Sequence, residues 1–142
     1  MKIWELKTFQ QETYRAVLAL TPQLGEGIPL LTEEHFKQIL ESQNSHLFLA
    51  EKDEEIVGMF TVGTYVIPTG KRVWIEDVVV DQKHTGKGYG KQLILEAIRF
   101  AESIGAVSVE LTSRPSRVAA NKLYQRVGFV KQETNKYRYI LK

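Results

Sequence analysis

The residues best placed to do chemistry lie between positions 80 and 91, which read Val80-Asp-Gln-Lys-His-Thr-Gly-Lys-Gly-Tyr-Gly-Lys91. Three alternating glycines follow a run of valines and lead directly into an amphipathic segment. The first N–H groups of a helix have no partner inside it, and the helix dipole concentrates partial positive charge at the same end. Glycine lets a bulky anion approach the main chain and permits left-handed dihedrals. A strand, a glycine turn and a helix start in that order make a cradle for phosphate. Lys83, His84, Lys87 and Lys91 add cationic character. Two common phosphate motifs do not fit. A nucleoside-triphosphate loop ending at Gly90-Lys91 would need Gly at Thr85 and Ser or Thr at Gln92. The dinucleotide fingerprint spaces its glycines G-x-G-x-x-G, whereas Gly86, Gly88 and Gly90 run G-x-G-x-G.

The elements that must hold this turn follow from hydrophobic period. Alternation predicts strands over 2–7, 46–51, 56–66, 73–80 and 106–111, and two last short strands over 129–133 and 137–141. Helices are expected over 10–20, ending before Pro22, and after Thr32, with Phe36, Ile39 and Leu40 on its apolar face. Others are expected over 88–104, closed by Gly105, and over 115–126, with Val118, Leu123 and Val127 inward and Gly128 as its stop. The turn at 52–55 joins an antiparallel hairpin, and 68–71 joins the next. The run Val78-Val79-Val80 suggests burial on both faces. Leu20 to Leu31, with two Pro and two Gly, is either a lid or a connector with Leu30 and Leu31 packed inside. The expected architecture is α+β, a single domain over 1–142 with a mixed, mostly antiparallel central sheet flanked by helices on both faces.

Composition narrows the function classes. The 142 residues carry 19 Lys plus Arg against 17 Asp plus Glu, a net charge of +2, which does not suit a dedicated nucleic-acid binder. There is no cysteine, so a thiolate nucleophile, a disulfide and a Cys-based zinc site are all excluded. His35, His46 and His84 have no metal-ligand spacing, and no metal is expected. No apolar signal region or long apolar stretch occurs, so a soluble, cytoplasmic protein is expected, with no membrane partner.

Val78-Val-Val80, Gly86-Lys-Gly-Tyr-Gly90 and Asn121-Lys-Leu-Tyr-Gln-Arg-Val-Gly-Phe129, in this order, resemble the GNAT superfamily of acetyl-CoA-dependent N-acetyltransferases. The resemblance implies that Thr85, Gly86, Lys87, Gly88, Tyr89, Gly90 and Lys91 receive the coenzyme pyrophosphate. It implies that the main chain at Val78, Val79 and Val80 meets the pantetheine arm beside a bulged strand, with the Val78 N–H facing the oxyanion. Tyr124 would protonate the departing thiolate. Thr85 stands where the family usually has Gln or Arg, which implies weaker anchoring. Arg117 stands where many members have Asn, which makes Asn121 the nearer coenzyme contact.

An alkylammonium acceptor has a pKa near ~10 and must lose a proton before its nitrogen can attack a thioester. Glu76 is the expected base, directly or through water, with Asp77 the second candidate. Simple alternation puts Glu76 on the face of Val78 and Val80 and Asp77 on the other. With no cysteine and no G-x-S-x-G, direct transfer is the accessible route. The expected function is therefore acetyl transfer from acetyl-CoA to a primary amine, with a small metabolite as acceptor. A non-catalytic acyl-CoA-binding module is the alternative. A terminal strand at 137–141 would leave an edge for a homodimer to cover.

Overall fold

The computed structural model describes Met1–Lys142 and divides into two compact units, Met1–Thr112 and Ser113–Lys142. The first unit is built on a five-stranded sheet in the order β1-β2-β3-β4-β5. Its strands are β1 (Lys2–Leu6), β2 (Ser45–Lys52), β3 (Glu55–Ile67), β4 (Gly70–Val80) and β5 (Ser108–Glu110). The first four run antiparallel and β5 lies parallel to β4, so the sheet is mixed as the alternation predicts. The β2–β3 turn places Asp53 and Glu54 at φ 52° and 65°, the left-handed pair that matches strand twist in a two-residue hairpin.

Helices cover both faces of this sheet. On one face, Leu6, Leu47, Leu49, Met59 and Val79 pack with Val17 and Leu20 of α1 (Gln11–Leu20) and Phe36 of α2 (Glu33–Glu41). The Thr32 side chain accepts a hydrogen bond from His35 N at 3.1 Å and starts α2. On the other face, Phe48 and Phe60 stack 4.8 Å apart, and Phe48 meets Phe100 of α3 (Tyr89–Ser103) edge-on at 5.3 Å. Leu93, Ile94, Ala97 and Ala101 form the buried stripe of α3, and Gly105 closes it at φ 73°. Each fully buried side chain of this size contributes roughly 1.5–3 kcal/mol. No helix of the molecule is long and apolar enough to cross a membrane.

The second unit contains α4 (Val118–Val127), three residues later in its start than expected. Its buried residue is Tyr124, whereas Val118, expected inside, is 57% exposed. The two terminal strands expected over 129–133 and 137–141 do not form. Alternation alone cannot make a strand; its N–H and C=O groups need a paired neighbour. No backbone N–H of residues 130–142 finds an acceptor, and Tyr137, Tyr139 and Leu141 are exposed. The edge at 137–141 on which a homodimer was expected therefore does not exist in this structure. Leu30 is likewise exposed, while Leu31 packs against the α1–α2 core as expected.

Candidate active site

The β3–β4 ladder breaks at one place. Met59 pairs with Val79 and Thr61 with Glu76, so Phe60 alone faces two β4 residues, Asp77 and Val78. This is a β-bulge, the feature the family resemblance implies, and Asp77 adopts φ 51° to make it. Asp tolerates the left-handed region better than most residues because its short polar side chain crowds the backbone less. Gly58, opposite Val80, allows β3 to lie close here. A Cβ on it would stand 2.9 Å from the Val79 carbonyl oxygen.

The bulge corrects the alternation expected for β4. Glu76 pairs with Thr61 and Val79 with Met59, so Glu76 shares a face with Val79, the α1–α2 face. Val80, paired with Gly58, lies on the α3 face instead. One extra residue shifts the two-residue period, which a reading of β4 by itself cannot see. Of the burial on both faces expected for Val78–Val80, only one side is met in full: Val79, at 8% exposed, is buried on the α1–α2 face, while Val78 and Val80 are half-buried. Glu76 and Asp77 are both exposed, and no Lys, Arg or His forms an ion pair with either.

Beyond the bulge, β4 has a free edge. Its pairing with β5 covers only Arg72, Trp74 and the Val73 between them, against Ser108–Glu110. From Ile75 to Val80 no strand lies on that side. Main-chain amides along such an edge need an outside partner, and an extended amide-bearing chain is well suited to supply one.

The edge leads into the glycine turn. Asp81 N donates to Val57 O at 2.8 Å, and the Asp81 side chain accepts from Lys83 N at 3.1 Å, which shapes a short 3-10 turn over Gln82–His84. Gln82 N also donates to Gln23 Oε1 at 3.0 Å, tying the α1–α2 connector to this turn. The Thr85 hydroxyl is taken by Gln82 O at 3.2 Å, and Lys87 Nζ lies 3.2 Å from His84 Nδ1. Gly86 and Gly88 sit at φ 80° and 78°, and nothing stands within 4 Å of where their Cβ atoms would be. Gly88 is the residue that caps α3, and it offers no side chain to the first N–H groups of Tyr89, Gly90 and Lys91. No side chain takes up those donors, which is the arrangement that favours an anion at a helix start.

Tyr124 and Asn121 belong to the second unit. Tyr124 is buried, its ring edge-on to Phe129 at 6.1 Å. Burial raises its phenol pKa above the usual value, and the nearby Arg117 charge opposes that rise. Both Nδ2 donors of Asn121 are used locally, on Arg114 O at 2.9 Å and Arg117 O at 2.8 Å, which secures the start of α4. Gln23, Trp74 and Tyr65 were not singled out from sequence. The available signal for Trp74 was its position two residues before Glu76 on one strand.

With this geometry in view, the comparisons define the class. The model of the acetyltransferase (GNAT) family matches residues 6–129, and the chain belongs to that family. Human N-acetyltransferase 8B is 34% identical over 99 residues, covering 67% of this chain but only 43% of the human protein. The chain thus spans less than half the length of that relative. The uncharacterized N-acetyltransferase YycN of Bacillus subtilis is 27% identical, with 92% of this chain and 93% of YycN covered. Among solved structures, an aminoglycoside acetyltransferase from an uncultured soil metagenomic sample, in complex with trehalose, superposes with TM-score 0.88. Its identity is 21%, and the match covers 99% of this chain and 96% of that one. AAC(6')-Iy in complex with a bisubstrate analog, CoA-S-monomethyl-acetylneamine, superposes with TM-score 0.80 at 21% identity, covering 99% and 98% of the two chains. These two likenesses establish a shared fold.

Proposed function

We propose that this protein binds acetyl-CoA and transfers its acetyl group directly to the primary amine of a small metabolite. The observation that carries the reading is the bulge at Asp77–Val78, beside a β4 edge left unpaired and running into an open glycine turn. When bound, acetyl-CoA supplies a thioester carbonyl for attack. The Gly86–Lys91 turn holds the pyrophosphate through main-chain N–H groups, and the free β4 edge from Val78 to Val80 pairs with the amide-bearing arm. The Val78 N–H is the donor for the oxyanion that attack creates. Glu76 takes the ammonium proton, directly or through water, and Asp77 stands beside it as the alternative acceptor. Its lack of a cationic partner leaves the Glu76 carboxylate free for that task. Tyr124, a phenol protonated at neutral pH and more firmly so through burial, gives its proton to the leaving thiolate. With acetyl-CoA as donor, we place this work in the cytoplasm.

Thermal unfolding with and without acetyl-CoA, followed by CoA-release assays over a panel of amines, tests the reading. A raised Tm together with turnover supports it. A raised Tm with no turnover on any amine replaces it with a non-catalytic acyl-CoA-binding module, and no change in Tm removes both.

A further inference from the structure

The core cluster on the α1–α2 face of the sheet includes Leu47 and no residue of the row beyond it. The next row across the sheet is Ser45, Gly63, Trp74 and Glu110, paired in that order on β2, β3, β4 and β5. Gly63 presents no side chain, and nothing stands within 4 Å of where its Cβ would be. The half-buried Trp74, paired with Gly63, thus neighbours an unfilled position on this face. Its Nε1 donates to the Tyr65 hydroxyl at 2.9 Å, which fixes the two aromatic side chains together, and Tyr65 is 45% exposed. Glu76 lies two residues along from Trp74 on this same face. Arg72, two residues before Trp74 on the same strand face, is engaged by Glu110 at 3.6 Å and by the Thr69 hydroxyl at 3.2 Å. Glu76 remains as an unpaired carboxylate on this face.

We infer that this Trp74–Tyr65 ledge reads a second positive charge on the acceptor, which makes the substrate a short diamine or polyamine. The inference rests on the acetyl-transfer reading. An indole face attracts an ammonium through its quadrupole, and the unpaired Glu76 carboxylate raises the local concentration of cations. Alternate residues on one strand face are roughly 6.5–7 Å apart. With the reacting nitrogen at Glu76, the second ammonium reaches the indole when about four or five methylenes, each spanning ~1.25 Å, separate the two nitrogens. A monoamine leaves the ledge unused, and an anionic group there meets the negative face of the indole.

The test compares kcat/KM for 1,4-diaminobutane, n-butylamine and 4-aminobutanoate, which match in length and differ in the charge of the far end. The expected order is diamine, then monoamine, then amino acid, with a diamine advantage of roughly tenfold carried by KM. Trp74→Leu should bring the diamine-to-monoamine ratio close to one. Tyr65→Phe, at an exposed ring, should lower it by a smaller factor while the fold is kept. Equal kcat/KM for diamine and monoamine, an amino acid used as well as the diamine, or a ratio unmoved by Trp74→Leu would overturn the inference and leave acetyl transfer standing. No turnover with any of the three amines would overturn this inference, and the acetyl-transfer reading would fall with it only if the wider amine panel also gave none.

Discussion

The β2–β3 and β4–β5 pairs lie in one sheet and behave in opposite ways. The first ladder pairs eight residues of β2, from Ser45–Gly63 to Lys52–Glu55, and carries Leu47, Phe48, Leu49 and Phe60 into the core on its two faces. The second pairs three positions and then stops, although β4 continues to Val80. A completed ladder satisfies its own polar groups and is stiff. An interrupted one leaves main-chain donors and acceptors for something else to satisfy. The closed ladder serves as foundation, and the open edge, with the bulge that bends it, is where the proposed site lies.

This division can be broken from either side. The largest effect is expected at Phe60, fully buried, stacked on Phe48 and opposite the bulge. Phe60→Ala should cost about 3–5 kcal/mol in urea unfolding. A loss under ~1 kcal/mol would mean that the closed ladder is not the foundation. Glu76→Gln, on the open side, should do the reverse: kcat/KM falls roughly a hundredfold at neutral pH while stability moves by less than about 0.5 kcal/mol. Its deficit should shrink at high pH, where the amine sheds its own proton, and a pH-independent rate equal to wild type would remove Glu76 as the base. Gly88→Val forces a β-branched residue to φ 78°. Calorimetry should show acetyl-CoA affinity reduced roughly tenfold, and unchanged affinity would exclude the glycine turn as the anchor.

Smaller changes sharpen the contrast. Asp77→Gly relieves a left-handed non-glycine residue and should stabilise by at most about 1 kcal/mol in urea unfolding. A clear destabilisation would show that the Asp77 side chain holds the bulge together. For Tyr124, burial raises the folded pKa above 10.0. The unfolded chain then releases this proton first, so stability is at its full value below about pH 10 and declines as the pH climbs toward the folded pKa. Tyr124→Phe should flatten that decline in pH-dependent unfolding, and an unaltered slope would locate the titration elsewhere.

Much of the fold was legible because the signals were local. The hairpin at 52–55, the Thr32 cap, the α3 stripe with Gly105 and the glycine turn all depend on residues a few positions apart. The bulge was available only through family resemblance. Its effect on Glu76 escaped a reading of β4 alone, because the shift exists only relative to Phe60 on β3. Tyr124 was singled out by motif register, whereas its burial required a folded neighbourhood. The segment over 129–141 misled for the same reason: alternation describes what a strand could bury, and no partner is present to pair it.

By itself, the amino-acid order settled where the chain turns, which residues cap its helices and where glycine takes left-handed dihedrals ahead of α3. Those are matters of dihedral freedom and hydrogen bonds within one turn of backbone. The tertiary structure alone decided which face Glu76 occupies, where the β4–β5 ladder ends and that Trp74 is paired with Gly63. Register and edges belong to pairs of strands distant in sequence, and no single segment contains them.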